Sequence, residues 1–469
     1  MMRHVTVVVL LTCAGAGVVV EAAGPGCPPS ADGGRYDYKE ALCMSFLFYE
    51  AQRSGALPPD QRVTWRHDSA LSDGLDNGID LTGGYYDAGD HVKFNFPMAF
   101  VMTALSWGLL SYREGYEAAG QVAHAEAAIK WTVDYFLKCH SESNTLWGQV
   151  GDGYLDHAWW GRPEEMPMER PSWKIDTTAP GSELAGETAA GFAAASLVFR
   201  ESDPALADDL VRRARELFDF ADQYRAMYHE SIPNAVDFYK SWSGYGDDLV
   251  WSACWLYKVT GEQFYADKAK EFWAEFNTAT RGTEGFGSDN KNAGDQVLFV
   301  ELFGDEEYVQ VLTETLRAYR NMPHTPGGML YLSQWGSLVG ATHTAFIALK
   351  AADLGIEPEV NRAWAEQQIN YALGSSGRSY LIGYGDNYPL RPHHRGSSCP
   401  NLPEVCDDGW ALNQPGPNPQ LLYGALVGGP DMSDGYTDER SDYVHNEVAV
   451  GYNTGLTASL AALISLAQG

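Results

Sequence analysis

Gly186–Phe199 reads GETAAGFAAASLVF, and a few residues later Ala205–Arg225 reads ALADDLVRRARELFDFADQYR. The first run is built of small residues and is apolar nearly all round, which suits a helix enclosed by protein on every side. The second repeats apolar residues at spacings of three and four with charges between them, as a helix with one wet face does. Both textures recur along the chain; NTGLTASLAALISLA at 453–467 belongs to the first kind. Helical periodicity covers roughly 36–54, 98–115, 117–139, 182–199, 205–226, 247–260, 262–278, 293–303, 307–320, 341–354, 358–373 and 447–467. Twelve such segments, joined alternately by short and long connections, predict an all-α domain of six helical hairpins. The buried helices would form an inner ring and the amphipathic ones an outer ring.

The totals agree with one large globular domain. The 469 residues are 45% hydrophobic and 20% charged, and the formal net charge is −30. So acidic a chain is not expected to bind nucleic acid or an anionic membrane surface. The start, MMRHVTVVVLLTCAGAGVVVEAAG, places a basic residue, Arg3, before an apolar run and small residues. This predicts a secretory signal peptide over 1–22, leaving 23–469 as a single secreted domain. No later segment approaches about 18 uninterrupted apolar residues, so no membrane span is expected. Six of the seven cysteines follow the signal, in a compartment that permits disulfides. Cys399 and Cys406 bracket a short loop and are the expected pair, whereas Cys254 reads as a buried helical thiol.

Between the helices lie long polar stretches rich in Gly and aromatics, at 55–97, 140–181, 227–246, 279–292, 321–340 and 374–446. Loops of this length in a compact domain usually carry function. Four of them concentrate chemistry: GGYYDAGDHVKF (83–94), DGYLDHAWWGRPEEMP (152–167), SYLIGYGDNYPLRPHHRGSSC (379–399) and GYTDERSDYVHNEVAVGYNTG (435–455). Aromatic faces beside carboxylates and arginines suit sugar rings and their hydroxyls. Glycosidic hydrolysis needs two carboxyl groups flanking the bond, one protonated to give a proton and one ionised to take one. Asp87 and Asp90 share a turn and supply one side. Glu447, where an acidic loop runs into an apolar helix, is the candidate for the other. Alone, the first stretch is equally compatible with a calcium loop, a solvated turn or half of an acid–base pair.

Three motifs together carry a resemblance. YTDERSDYVHNEVAVGYNT resembles a signature of glycoside hydrolase family 9 at Tyr436, Asp438, Tyr443, Glu447, Ala449, Asn453 and Thr454. SYLIGYGDNYPLRPHHR resembles another, ending Pro392-His393-His394-Arg395, with Ile382 where Ser, Thr or Val is usual. YYDAGDHVKF resembles the family's N-terminal motif. The likeness spans the mature chain and is to secreted, animal-type endo-β-1,4-glucanases made of the catalytic module alone. It implies an (α/α)6 barrel and inverting hydrolysis of cellulose-like glucans by a monomer that needs no cofactor for chemistry. It implies Asp90 as general base, Asp87 as its helper at the water, and Glu447 as general acid. His393 and Arg395 would grip sugar hydroxyls, Asp438 would support the site, and Tyr452 would hydrogen-bond nearby. His157, Trp160, Tyr239, Trp242 and Trp335 would line subsites. A structural Ca²⁺ is implied at SWSGYGDDLVW, with carbonyls of Ser243 and Gly244 and carboxylates of Asp247, Asp248 and Asp289. The competing readings are a non-catalytic glucan-binding protein on the same scaffold and a metallohydrolase using His393 and His394.

Overall fold

Each periodic segment forms one long helix. The computed structural model describes residues 24–30 and 35–468, so the expected signal peptide lies outside the described residues. Among the described residues, twelve helices have twelve residues or more: α1 (Tyr38–Ala51), α2 (Asn95–Ser111), α3 (Val122–Cys139), α4 (Ser182–Phe199), α5 (Pro204–Gln223), α6 (Gly246–Thr260), α7 (Gln263–Glu275), α8 (Asn292–Phe303), α9 (Glu306–Asn321), α10 (Ser337–Asp353), α11 (Pro358–Asn370) and α12 (Tyr452–Leu466).

The even-numbered helices form the inner ring. Helix α4 buries nearly every residue, whereas α5 buries one stripe: Ala207, Leu210, Ala214, Leu217, Phe218, Phe220 and Ala221. The α5 start is fixed by Asp203, whose side chain accepts from Leu206 N–H, and by Pro204 in the first turn. Small residues let the inner helices approach closely: a Cβ on Gly108 of α2 would lie 2.9 Å from the Cβ of Ala458 on α12. That contact joins the last inner helix to the first and closes the ring. The middle is filled by aromatics. Trp107 of α2 meets Trp251 and Trp255 of α6 and Phe346 of α10 at centroid distances of 5.4, 6.1 and 4.8 Å. These helices are not ring neighbours, so their side chains meet across the centre. Truncating such a ring to alanine would cost about 3–5 kcal/mol.

Connections from inner to outer helices are short; those from outer to inner are long. The alternation gathers all the long loops at one end, above the N-termini of the inner helices. Three short strands, absent from the helical reading, lie there: β1 (Lys93–Phe94), β2 (Leu146–Val150) and β3 (Ser172–Ile175), antiparallel in that order. One boundary differs with consequence. The helix expected over 447–467 begins only at Tyr452. The backbone before it is engaged elsewhere, with Glu447 bridged to His393 and Val448 to Val427. Glu447 is therefore extended and lies outside the helix. Disulfides join Cys399 to Cys406, as expected, and Cys27 to Cys43; Cys139 and Cys254 are buried thiols.

Candidate active site

Main-chain hydrogen bonds bring the three motifs together. Asp90 closes its own turn, accepting from Ala88 N–H at 3.0 Å on one oxygen and Val92 N–H at 3.1 Å on the other. Asp87 N–H donates to Val92 O at 3.0 Å, and Asp87 O accepts from Val450 N–H at 2.9 Å. Arg395 N–H donates to Gly89 O at 3.0 Å, and a Cβ on Gly89 would stand 2.1 Å from His393 O. Only glycine permits that approach. Gln52, just past α1, clamps the same turn: its amide donates to Ala88 O at 2.6 Å and Tyr86 O at 3.2 Å. Its Oε1 lies 2.8 Å from His394 Nε2.

The carboxylates have different surroundings. Asp87 is buried; Tyr239 O–H donates to its Oδ2, while Oδ1 has no protein partner. Burial, then the charge of Asp90, push the Asp87 pKa well above the usual carboxylate range. Glu447 is half-buried, and both Trp335 Nε1 (2.8 Å) and Tyr452 O–H (3.0 Å) donate to its Oε2. Desolvation pushes its pKa up to about 7; the two hydrogen bonds act against that and Asp90 adds to it. A carboxyl poised near neutrality beside a carboxylate held by two amide N–H groups has the chemical make-up of an acid–base pair.

His393 N–H donates to Asn446 O at 2.9 Å, and its Nδ1 lies 2.7 Å from Arg440 O, which fixes the tautomer and leaves Nε2 as an acceptor. Burial lowers its pKa to about 4. His394 uses both nitrogens internally, Nδ1 accepting from Ser397 N–H at 2.9 Å and Nε2 facing Gln52, so neither is left for a metal. Arg395 is buried, donates from Nε to Trp159 O at 3.0 Å, and stacks over Trp160 at 5.0 Å. Asp438 accepts from Leu390 and Arg391 N–H at 2.8 and 2.9 Å, holding the loop that carries His393.

Among the expected sugar-lining residues, Trp242 is 78% and Trp335 52% exposed, with Lys240 over the one ring and Tyr443 against the other. His157 stands half-exposed against Phe238. Trp160 departs from the expectation. It is buried, donates from Nε1 to Ser398 Oγ at 2.7 Å, and packs with Cys399 and Ala411 under the Arg395 guanidinium. It supports Arg395 and His393 and leaves no open face for a sugar. Tyr239 likewise does more than line a wall, since its hydroxyl is spent on Asp87.

The calcium candidates gather in part. Ser243 Oγ lies 3.1 Å from Asp247 Oδ1 and also donates to Asp289 O, and Trp242 N–H donates to Asp289 Oδ1 at 2.7 Å. Gly244 O accepts from Ser241 Oγ at 3.0 Å. These oxygens suit Ca²⁺. Asp248 does not join them: it is buried with its Oδ1 3.0 Å from the Lys291 ammonium, which also holds Glu187 at 3.0 Å. The ammonium shared by Glu187 and Asp248 sets Asp248 apart from the other oxygens.

Two participants were missed in the sequence. Gln52 carries no local signal, because its role depends on where α1 ends. Asp156 sits inside the 152–167 stretch, next to His157, without having been picked out; it is buried, accepts from His91 N–H at 3.1 Å, and has Oδ2 3.8 Å from Arg395 Nη1.

Residues 38–460 match the model of glycosyl hydrolase family 9. The chain belongs to this family. Endoglucanase 15 of Arabidopsis thaliana is 44% identical over 465 residues, spanning 91% of this chain and 94% of that protein. The endoglucanase structure of the termite Nasutitermes takasagoensis superposes with a TM-score of 0.91 at 51% identity, covering 92% of this chain and all of that one. Endoglucanase CelQ of Clostridium thermocellum, solved with cellotetraose, gives 0.83 at 36% identity, covering 92% of this chain and 71% of that one. As a member of family 9, this chain is a glycoside hydrolase, and its twelve helices form the (α/α)6 barrel.

Proposed function

We propose that this family 9 hydrolase is a secreted endoglucanase that cuts internal β-1,4 bonds of cellulose-like glucans with inversion at the anomeric carbon. The observation that carries the reading is the pairing of Asp90 with Glu447 in contrasting surroundings, across segments locked by main-chain hydrogen bonds. In this mechanism the Glu447 carboxyl, with Oε2 held by Trp335 and Tyr452, carries its proton on Oε1 and gives it to the departing glycosidic oxygen. Asp90 takes a proton from a water attacking the opposite face of the sugar. Asp87, held by Tyr239, positions that water through its unpartnered Oδ1. His393 Nε2 accepts from a sugar hydroxyl, Arg395 braces the floor, and the exposed rings of Trp242 and Trp335 carry the glucan chain.

The cellotetraose-bound relative and the endoglucanase names of the other relatives support a β-1,4-glucan substrate. Two disulfides fit an extracellular site of action, and no helix among the described residues is long and apolar enough to cross a membrane. Ser243, Gly244, Asp247 and Asp289 would hold a structural Ca²⁺ beside Trp242, with no part in proton transfer. Proton NMR of the first products from a cello-oligosaccharide tests the mechanism. The α anomer is expected; a β product overturns it. A product profile on a panel of β-glucans tests the substrate class.

A further inference from the structure

Around Asp90, one ligand atom each from Asp90, Asp156 and His157 lies within 4.8 Å of the other two. Asp156 is 1% exposed, and its Oδ2 makes no hydrogen bond. His157 Nδ1 stands 3.5 Å from that oxygen and Arg395 Nη1 3.8 Å from it, contacts of ion-pair length that satisfy no hydrogen bond. A buried carboxylate oxygen with no hydrogen-bond donor is costly, and here it lies close to a second Asp side chain and a half-exposed imidazole. We propose that these three residues form a site for a divalent transition ion of the Zn²⁺ class, and that its occupancy switches the enzyme off by capturing Asp90.

The donor set decides the ion. Two carboxylates and one imidazole suit Zn²⁺ or Cu²⁺, whereas Mg²⁺ and Ca²⁺ favour all-oxygen shells. Ligand atoms sharing an ion at about 2.1 Å lie no more than about 4.2 Å apart. The site therefore needs only a small contraction, which the half-exposed His157 can supply by rotating. Asp90 and Asp156 are anchored by backbone N–H groups from Ala88, Val92 and His91, so two ligands are preset. Arg395 opposes the ion and keeps affinity moderate. The bound ion would block the carboxylate that receives the water's proton. Only this inhibition rests on the proposed role of Asp90; the binding does not.

The test is equilibrium dialysis of the full chain against ZnCl₂ with excess Ca²⁺ present, after chelator treatment. One Zn²⁺ per chain is expected, with affinity falling about tenfold or more in H157Q and in D156N. His157 is half-exposed, so H157Q should fold whatever D156N does. Absence of stoichiometric binding, or affinity unchanged in H157Q, overturns the site. Hydrolysis of carboxymethylcellulose by the wild type should fall in step with Zn²⁺ occupancy, recover with EDTA, and ignore Mg²⁺. Stoichiometric, His157-dependent binding without inhibition would support the site and count against Asp90 as base.

Discussion

The N–H of Val450 donates to the carbonyl oxygen of Asp87 at 2.9 Å, tying the loop after the first outer helix to the segment before the last inner one. The proposed base and acid thus keep their spacing through backbone geometry, and their side chains remain free for chemistry. Gly89 sets the same seam from the other side. In G89A the new Cβ would meet His393 O at 2.1 Å, and a backbone oxygen cannot turn away as a side chain can. The two segments must separate, costing about 1–3 kcal/mol as overpacking does and misplacing Asp90 against Glu447. Thermal unfolding and carboxymethylcellulose hydrolysis should both fall. Wild-type activity in G89A would show that the seam does not set the pair.

E447Q removes the proton donor while keeping the shape. Turnover should drop by about 10²–10⁴-fold, with glucan binding retained. Stability should move the other way at high pH. The folded-state pKa of Glu447 is raised to about 7, so its contribution is fully present below about 4.5 and is lost as pH rises through about 7. The variant has no such loss. Melting scans should find E447Q more stable than wild type at pH 8 and level with it at pH 4. A gap that widens toward acid would contradict the environment described for Glu447.

Much of this arrangement was legible in residue patterns, for physical reasons that also explain what was not. Total burial leaves the Ala-rich runs of α4 and α12 no polar face, and half-burial stamps the period of α5, so both rings could be read. The motif carboxylates were legible because the chemistry dictates their type. Glu447 was misplaced at a helix start because Val448–Val450 continue the apolar run, although their backbone is committed to loop partners. Trp160 read as a sugar platform because tryptophan serves cleft and core alike, and only packing separates the two. Gln52 acts through contacts with residues far along the chain, which no local pattern encodes.

Tyr239 donates to Asp87 Oδ2, and that bond favours the ionised carboxylate against burial and Asp90. Y239F should therefore raise the Asp87 pKa further and loosen its hold on water. A loss of about 10-fold in kcat is expected, matching a hydrogen bond to a charged group of about 1.5 kcal/mol. The KM for long glucans should change little. A rise in KM with kcat intact would make Tyr239 a sugar contact instead.

Chelation tests the oxygen cluster at Ser243, Gly244, Asp247 and Asp289. After dialysis against EGTA the melting temperature should fall, and Ca²⁺ should restore it. D289N should lower the calcium response, because Asp289 also fixes Trp242 N–H at 2.7 Å. D248N serves as the contrast. Its carboxylate answers Lys291, so it should lower stability in calcium and in EGTA alike. Equal calcium responses in D289N and wild type would remove Asp289 from the set.

Tyr452 gives the sharpest reading of Glu447, since its hydroxyl donates to the same oxygen as Trp335. That bond favours the ionised acid, so the pKa stays near 7 in its presence and must rise in its absence. The reaction needs Glu447 protonated, which places the alkaline limb of the kcat/KM profile at this group. In Y452F that limb should move to higher pH by about 0.5–1 unit, the equivalent of about 1 kcal/mol. Activity well below the limb should be largely kept, because the proton is already in place there. W335F should move the limb in the same direction and also raise KM, because its ring is half open to the cleft. An alkaline limb that stays put in both variants, or moves toward acid, would mean that another group delivers the proton.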